Sequence, residues 1–305
     1  MSGFTLTQVR YFVAAAASGS MTAAAAELHV AQSAVSSAVA ALERSLGVQL
    51  FIRQHARGLV LTGAGHRLNI ESQALLAHAA ELAESARGMA DAVSGEISLG
   101  CFVTLAPFAM PELLSLCTRR HPRLDLRVHE LGTRELLQCL HEGTIELALM
   151  YDLGLGDDVE RHQLADAPPY VIVAGDHPLS GAPGIHLRQL ENDPMIMLDI
   201  PRSTEYFQRL LHTAGVEPRV RYRSSSYETV RGLVAEGHGY AVLNQRPAHG
   251  TTYNGRSVVA VPLLDEVEPL PIVLVRMAKV RPTGRAQALA DACATVVPRL
   301  AHHSG

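Results

Sequence analysis

Hydrophobic and polar positions change rhythm twice along the chain. Residues 1–65 hold short helical patterns broken by Gly, residues 66–94 form one uninterrupted helical pattern, and from Gly95 apolar strand-like runs alternate with amphipathic helices. In the first stretch, Thr5-Leu6-Thr7-Gln8 has the spacing of a capping box and opens a helix that runs through Ala17 to a stop at Gly19. A second helix is predicted over Thr22–Leu28. After a tight turn at His29-Val30-Ala31, a third runs from Gln32 to Leu46 and stops at Gly47. Val48–Phe51 and Leu59–Thr62 read as two short strands around Arg53-Gln54-His55-Ala56-Arg57-Gly58. Helix, short turn, helix and hairpin make a winged helix-turn-helix.

In the middle stretch Leu61, Leu68, Leu75, Leu82 and Met89 recur every seven residues, and Ser72, Ala79, Ala86 and Val93 form a second row. One row is large and the other mostly small, the pattern of a helix that pairs closely with a second copy. A helix lying on its own domain would share this periodicity, and the neighbouring DNA-binding pattern favours the dimer.

The last stretch predicts strands at Ile97–Gly100, Leu124–Glu130, Leu147–Tyr151, Tyr170–Ala174, Met195–Leu198, Val220–Tyr222, Tyr240–Leu243, Val258–Val261 and Ile272–Arg276. Helices are predicted near Pro111–Arg120, Arg134–Glu142, Thr204–Ala214, Tyr227–Ala235 and Arg285–Leu300. This is an α/β region with a largely parallel sheet, arranged as two lobes around a cleft, where ligands meet the carboxyl ends of strands.

Charge sharpens the division. The 305 residues carry a net charge of −4, which by itself argues mildly against a polyanionic partner. Residues 1–65 hold four Arg against two Glu, a balance of +2, leaving 22 basic and 28 acidic groups beyond, or −6. A +2 module attracts DNA weakly, and pairing two copies doubles the effect. The four cysteines (Cys101, Cys117, Cys139 and Cys293) form no CxxC or zinc spacing, so no metal is expected, and no cofactor. No run reaches a membrane span. Arg10 and the apolar run after it resemble a signal peptide only superficially, so the chain reads as cytoplasmic. HExxH, GxSxG and GxGxxG are all missing, so a metallohydrolase, a nucleophile-elbow hydrolase and a dinucleotide enzyme lack their motifs.

Tyr11-Phe12, Gly19-Ser20, Ala24-Ala25, Leu28, Gln32, Val35-Ser36, Leu42-Glu43, Leu46-Gly47, Leu50-Phe51, Arg53 and Leu61-Thr62 through Gly65 fall at the spacings of the DNA-binding segment of LysR-type transcriptional regulators, which the chain resembles. Gly95–Gly100, His121-Pro122, Gly143 before Ile145–Leu149, and His177-Pro178-Leu179 resemble that family's effector region more loosely. The resemblance implies a winged helix-turn-helix at 1–65, a dimerising linker helix at 66–94 and a two-lobed region at 95–305 akin to type 2 periplasmic binding proteins. Lobe I would comprise 95–165 and 266–305, and lobe II 166–265, with hinge crossings near Leu164–Pro168 and Pro262–Glu268. It also implies a homodimer or homotetramer that binds promoter DNA and responds to a small molecule in the cleft, with RNA polymerase as a candidate partner. Two positions depart from the family. Ala31 stands where a capping Ser is usual, at a cost of about 1 kcal/mol, and Ser37 stands where Arg is common.

On the third helix Gln32, Ser33, Ser36 and Ser37 share the exposed face, while Val35, Val39 and Leu42 are placed to pack inward. Gln pairs with adenine and Ser donates to phosphate or base, although an ordinary polar face has the same look. Arg53 and Arg57 are placed to reach the backbone or minor groove from the wing. In the effector region Phe102, Thr104, Thr133, Arg202, Ser203, Thr204, Tyr227 and Asn244 follow strands or open helices, Tyr227 within a Ser225–Glu228 capping box. Hydroxyls at helix N-termini suit an anionic effector, with Arg202 as its partner, and simple N-capping accounts equally well for each hydroxyl alone. Cys101, beside the cleft, reads as a small buried apolar residue rather than a redox sensor. Two rival readings remain at this stage, a solute-binding component that uses only the two-lobed region and an enzyme on an α/β scaffold.

Overall fold

In this computed structural model, which describes residues 3–54, 58–84 and 93–302, with the backbone alone at Arg53, Gln54, Glu81, Glu84, Ala301 and His302, the first helix opens on the expected cap. Thr5 Oγ1 accepts the Gln8 N–H and Gln8 Oε1 accepts the Thr5 N–H, starting α1 (Leu6–Ser18), which Gly19 ends in the left-handed region. Helix α2 (Met21–Glu27) is capped by Ser20, and α3 (Gln32–Leu46) begins after Ala31, which supplies no side-chain bond. Phe12, Ala15, Ala24, Ala25, Val35, Val39 and Leu42 bury the three helices on one another, and the small Ala24–Ala25 pair lets them approach. Strands β1 (Phe51–Gln54) and β2 (Gly58–Leu61) pair antiparallel, and the Phe12 and Phe51 rings sit 5.4 Å apart, tying the hairpin to α1.

The first strand starts at Phe51 rather than Val48 for a local reason. The Val48 N–H returns to Glu43 O, and Glu43 Oε1 accepts the N–H groups of Leu50 and Phe51, so residues 48–50 form a turn rather than ladder.

Helix α4 (Gly63–Glu84) begins one turn earlier than predicted, its first turn held by Thr62 Oγ1, which accepts the Gly65 N–H. Gly65 is required here, because a Cβ would lie 2.2 Å from Leu50 O. Ala86 and Met89 of the heptad rows lie outside the described residues, and Val93, expected in the same helix, is not helical and directly precedes a strand that opens at Ser94. Within the described part the two rows diverge: Leu75 and Leu82 are 42% and 73% exposed, whereas Ser72 is buried inside the chain. Beside the Ser72 row Asn69 and Gln73 donate to Glu142 O at 2.9 and 3.0 Å, and further along His78 Nε2 lies 3.2 Å from Pro282 O.

Beyond α4 the chain builds two sheets. The first has the order β4 (Arg123–Leu131), β3 (Ser94–Phe102), β5 (Leu147–Tyr151), β12 (Leu270–Met277), β6 (Val159–Ala167). Helices α5 (Ala106–Arg120), α6 (Thr133–Glu142) and α9 (Gly284–His302) cover it. Strand β6, with the sequence VERHQLADA, is an addition to the sequence reading: four residues in succession are exposed, and no apolar run marks it. Helix α5 starts at Ala106, so Pro111 lies inside it rather than opening it. The second sheet places β7 (Tyr170–Ala174) between β10 (Ala241–Leu243) and β11 (Val258–Pro262), and a Met195–Tyr240 bridge joins β8 (Pro194–Leu198) and β9 (Arg219–Ser224) to it. Helices α7 (Ser203–Thr213) and α8 (Tyr227–Ala235) pack here.

The chain passes from the first sheet to the second between Ala167 and Tyr170 and returns between Pro262 and Leu270. These crossings correct the expectation of a largely parallel sheet. β3 is parallel to β4 and β5, but β12 re-enters from the other side and runs antiparallel to β5 and β6. β7 is likewise antiparallel to both of its neighbours. Among the described residues no helix is long and apolar enough to cross a membrane.

Candidate functional site

Two regions bring together the residues singled out above. The first is the amino-terminal face of α3. Val35, Val39 and Leu42 are at most 2% exposed, which turns the opposite face outward. Gln32, Ser33 and Ser37 are exposed and Ser36 is half-exposed, with Gln32 Nε2 donating to Ser36 Oγ at 3.1 Å. With Ala31 as the cap, the first N–H groups of α3 gain no side-chain acceptor and present the positive end of the helix dipole outward. Arg53 lies in β1, opposite Leu59, and its side chain and the whole of Arg57 lie outside the described residues.

The second region is the cleft between the sheets. Thr104, Ser203, Tyr227 and Asn244 line one cavity of about 20 Å³ together with Tyr151 and Gln245. Such a cavity has room for roughly one water, so the two sheets stand closed upon it. The Tyr170 hydroxyl donates to Gln245 O at 2.5 Å, the Tyr227 hydroxyl donates to the same carbonyl, and the two phenol oxygens are 3.2 Å apart. Asn244 Nδ2 donates to Ala167 O at 2.8 Å, directly beside the first crossing. Burial pushes the Tyr151 and Tyr227 phenols above their ordinary values and Tyr170 up to about 12, so these hydroxyls stay neutral donors at physiological pH.

Four expected effector residues are placed elsewhere. Phe102 is fully buried and its ring packs edge-on against Tyr151 at 5.3 Å, so it supports the cleft floor from behind. Thr133 is buried in the first turn of α6. Thr204 Oγ1 is engaged with Asp199 Oδ1 and Ile200 O. Arg202, expected to meet an anion, instead donates through Nη1 to Leu153 O and Gly154 O at 3.1 and 3.0 Å. It thereby straps α7 of the second sheet to the loop after β5 of the first, from a backbone held at φ +67°. The cap of α8 is Ser226 rather than Ser225, and Glu228 pairs with Arg231 instead of closing a box. Tyr151 and Gln245, which line the cavity, and Tyr170, which donates to the Gln245 carbonyl beside it, were not expected from the sequence. Their one signal is position: Tyr151 closes β5, Tyr170 follows Pro168-Pro169 at the crossing, and Gln245 follows Asn244.

Residues 6–66 match the family described as bacterial regulatory helix-turn-helix protein, lysR family, and residues 90–298 match the LysR substrate binding domain. The chain belongs to the LysR family of transcriptional regulators. Like its relatives it is a DNA-binding regulator with a substrate-binding effector region. A probable hydrogen peroxide-inducible genes activator of Mycobacterium leprae is 33% identical over 251 residues, covering 80% of this chain and 79% of that protein. The transcriptional regulator YvbU of Bacillus subtilis is 29% identical over 246 residues, 81% and 83% of the two chains. Among solved structures, the LysR regulator HinK of Pseudomonas aeruginosa is 34% identical, with a TM-score of 0.67 over 98% of this chain and 100% of that one. Full-length OxyR C199D from the same organism is 25% identical, with a TM-score of 0.72 over 97% and 98%. In the LysR chain described here Cys101, Cys117 and Cys293 are buried, and burial raises each thiol above its ordinary value, which disfavours the reactive thiolate. None of the four cysteines lines the cleft cavity.

Proposed function

We propose that this LysR regulator inserts the amino-terminal half of α3 into the major groove of promoter DNA, reading bases with Gln32 and holding phosphates with Ser33, Ser36, Ser37 and the uncapped N–H groups. The wing residues Arg53 and Arg57 complete the contact with the backbone or minor groove. The observation that carries this reading is the segregation of α3 into a buried Val35–Val39–Leu42 face and an exposed polar one at its free end. Residues 1–65 form the DNA-binding module and 66–94 the dimerising linker, with Leu75 and Leu82 as its exposed contact row. Residues 95–305 sense the effector, and the dimers pair into tetramers. The regulator acts in the cytoplasm, with RNA polymerase as a further partner.

The effector site is the cavity among Thr104, Tyr151, Ser203, Tyr227, Asn244 and Gln245. These side chains are neutral hydroxyls and amides, which suits a compact polar molecule able to exchange hydrogen bonds with phenols. Arg202 being engaged elsewhere, attraction for an anion comes from the amino-terminal end of α7, where Ser203 sits.

Footprinting of the full-length protein on DNA upstream of its own gene, across a salt series, tests the DNA-binding mode. A discrete protected site is expected. Gln32→Ala should weaken that site by about 1–3 kcal/mol and leave competitor DNA unaffected. Equal loss on both DNAs would remove Gln32 from base reading.

A further inference from the structure

Tyr170, whose hydroxyl donates to the cleft residue Gln245, also lines a separate recess of about 250 Å³. Its apolar wall is formed by Ile172 of β7 and by Val258 and Ala260 of β11, where Ile172 and Ala260 are register partners. Arg231 and Arg246 line it as well, together with Tyr170 and the 247–250 segment.

The two cations are in different electrical states. The Arg231 side chain is 6% exposed and is balanced by Glu228 at 2.6 Å, while its Nη2 donates to the His249 and Thr251 carbonyls at 3.2 Å each. The other Glu228 oxygen accepts the Tyr253 N–H, so this ion pair fixes the 249–253 loop that rims the recess. Arg246 is half-buried and makes no hydrogen bond or ion pair with a described residue. Glu228 is thus taken up by Arg231, and Arg246, a part-buried cation beside an apolar wall, has no anion among the described residues. A buried or half-buried charge in that state is costly until paired. Burial pushes the Tyr170 phenol up to about 12, with the Tyr227 hydrogen bond and the charges of both Arg231 and Arg246 pulling the other way, which places the two cations close to this shared wall.

We propose that this recess is a second small-molecule site, separate from the cleft, that takes a compact organic carboxylate, with its anion on Arg246 and its apolar body against Ile172, Val258 and Ala260. Tyr170 faces the recess, and its hydroxyl shares the Gln245 carbonyl with Tyr227 of the cleft. A ligand against Tyr170 would therefore lie one side chain away from the hydrogen bonds of the cleft. The site itself stands whether or not the cleft binds an effector.

Methyl-resolved NMR of the full-length protein titrated with benzoate, and separately with the neutral benzamide, tests this. The methyl signals of Ile172 and Val258 are expected to shift with benzoate at about millimolar concentration, while those of Leu198 and Leu270 in the cleft lining stay within a small fraction of that change. Arg246→Gln, a half-exposed position with no hydrogen bond to lose, should weaken the titration at least about tenfold with an otherwise unchanged spectrum, and Arg246→Lys should recover part of it. The proposal is overturned by silent recess methyls at about 10 mM benzoate, by equal binding of benzamide, by an unaffected Arg246→Gln variant, or by shifts confined to Leu198 and Leu270. A failure of the cleft reading would show differently, as cleft methyls that respond to no candidate effector.

Discussion

Ala31 shows how one side chain divides its work between stability and recognition. Its backbone sits at φ −69°, ψ 140°, the extended conformation of a helix cap, but its methyl group can accept nothing. A Ser here would take one of the orphan N–H groups, so Ala31→Ser is expected to stabilise the chain against denaturant by about 1 kcal/mol. If the free N–H groups hold a phosphate, the same change weakens DNA binding instead of improving it. A variant unchanged in stability would show that solvent already satisfies these donors. Gln32, Ser33 and Ser37 were legible beforehand because helical periodicity separates inward Val and Leu from outward polar residues. Arg202 was not, because its partners are carbonyls of Leu153 and Gly154, nearly 50 residues away.

At the scale of the element, α4 illustrates a pattern with two claimants. Its heptad rows fit a partner helix, yet Asn69 and Gln73 engage the carbonyl end of α6 in the same chain. What stays open is the row containing Leu75 and Leu82. Leu82→Glu is expected to dissociate dimers in sedimentation while leaving the thermal midpoint of the monomer nearly unchanged, since a 73%-exposed side chain contributes little to its own fold. Dimers that persist in the variant would place the contact on another surface. Strand β6 marks the opposite case, an element without a pattern. Its alternation is lost under exposed charge, and only the ladder to β12 makes it a strand.

Across the whole molecule, the two sheets meet over a cavity too small for an effector, and Arg202 spans the joint. A charged donor to two carbonyls is worth about 1.5–3 kcal/mol, against a cost of about 1–3 kcal/mol for a non-Gly residue at positive φ, so the strap is close to balanced and suited to release. Arg202→Ala should raise hydrogen exchange in the 151–156 segment by about tenfold or more and ease entry to the cleft. Unchanged protection there would mean that the crossings and the phenol–Gln245 bonds alone hold the sheets together.

Features that depend on neighbours along the chain could be read from the letters: the cap at Thr5, the inward and outward faces of α3, most strands and helices apart from β6, and the split of charge at residue 65. Spacing and side-chain chemistry act over one or two turns, so they can be read in a line of letters. Which residues share a cavity follows from contacts between distant parts of the chain. Tyr151 and Gln245 come to line one cavity only because the chain crosses between the sheets, and Tyr170 reaches the Gln245 carbonyl from beside it; Glu228 is taken up by Arg231, and no described residue pairs with Arg246. Those outcomes depend on distances between groups far apart in the chain, and folding alone sets them.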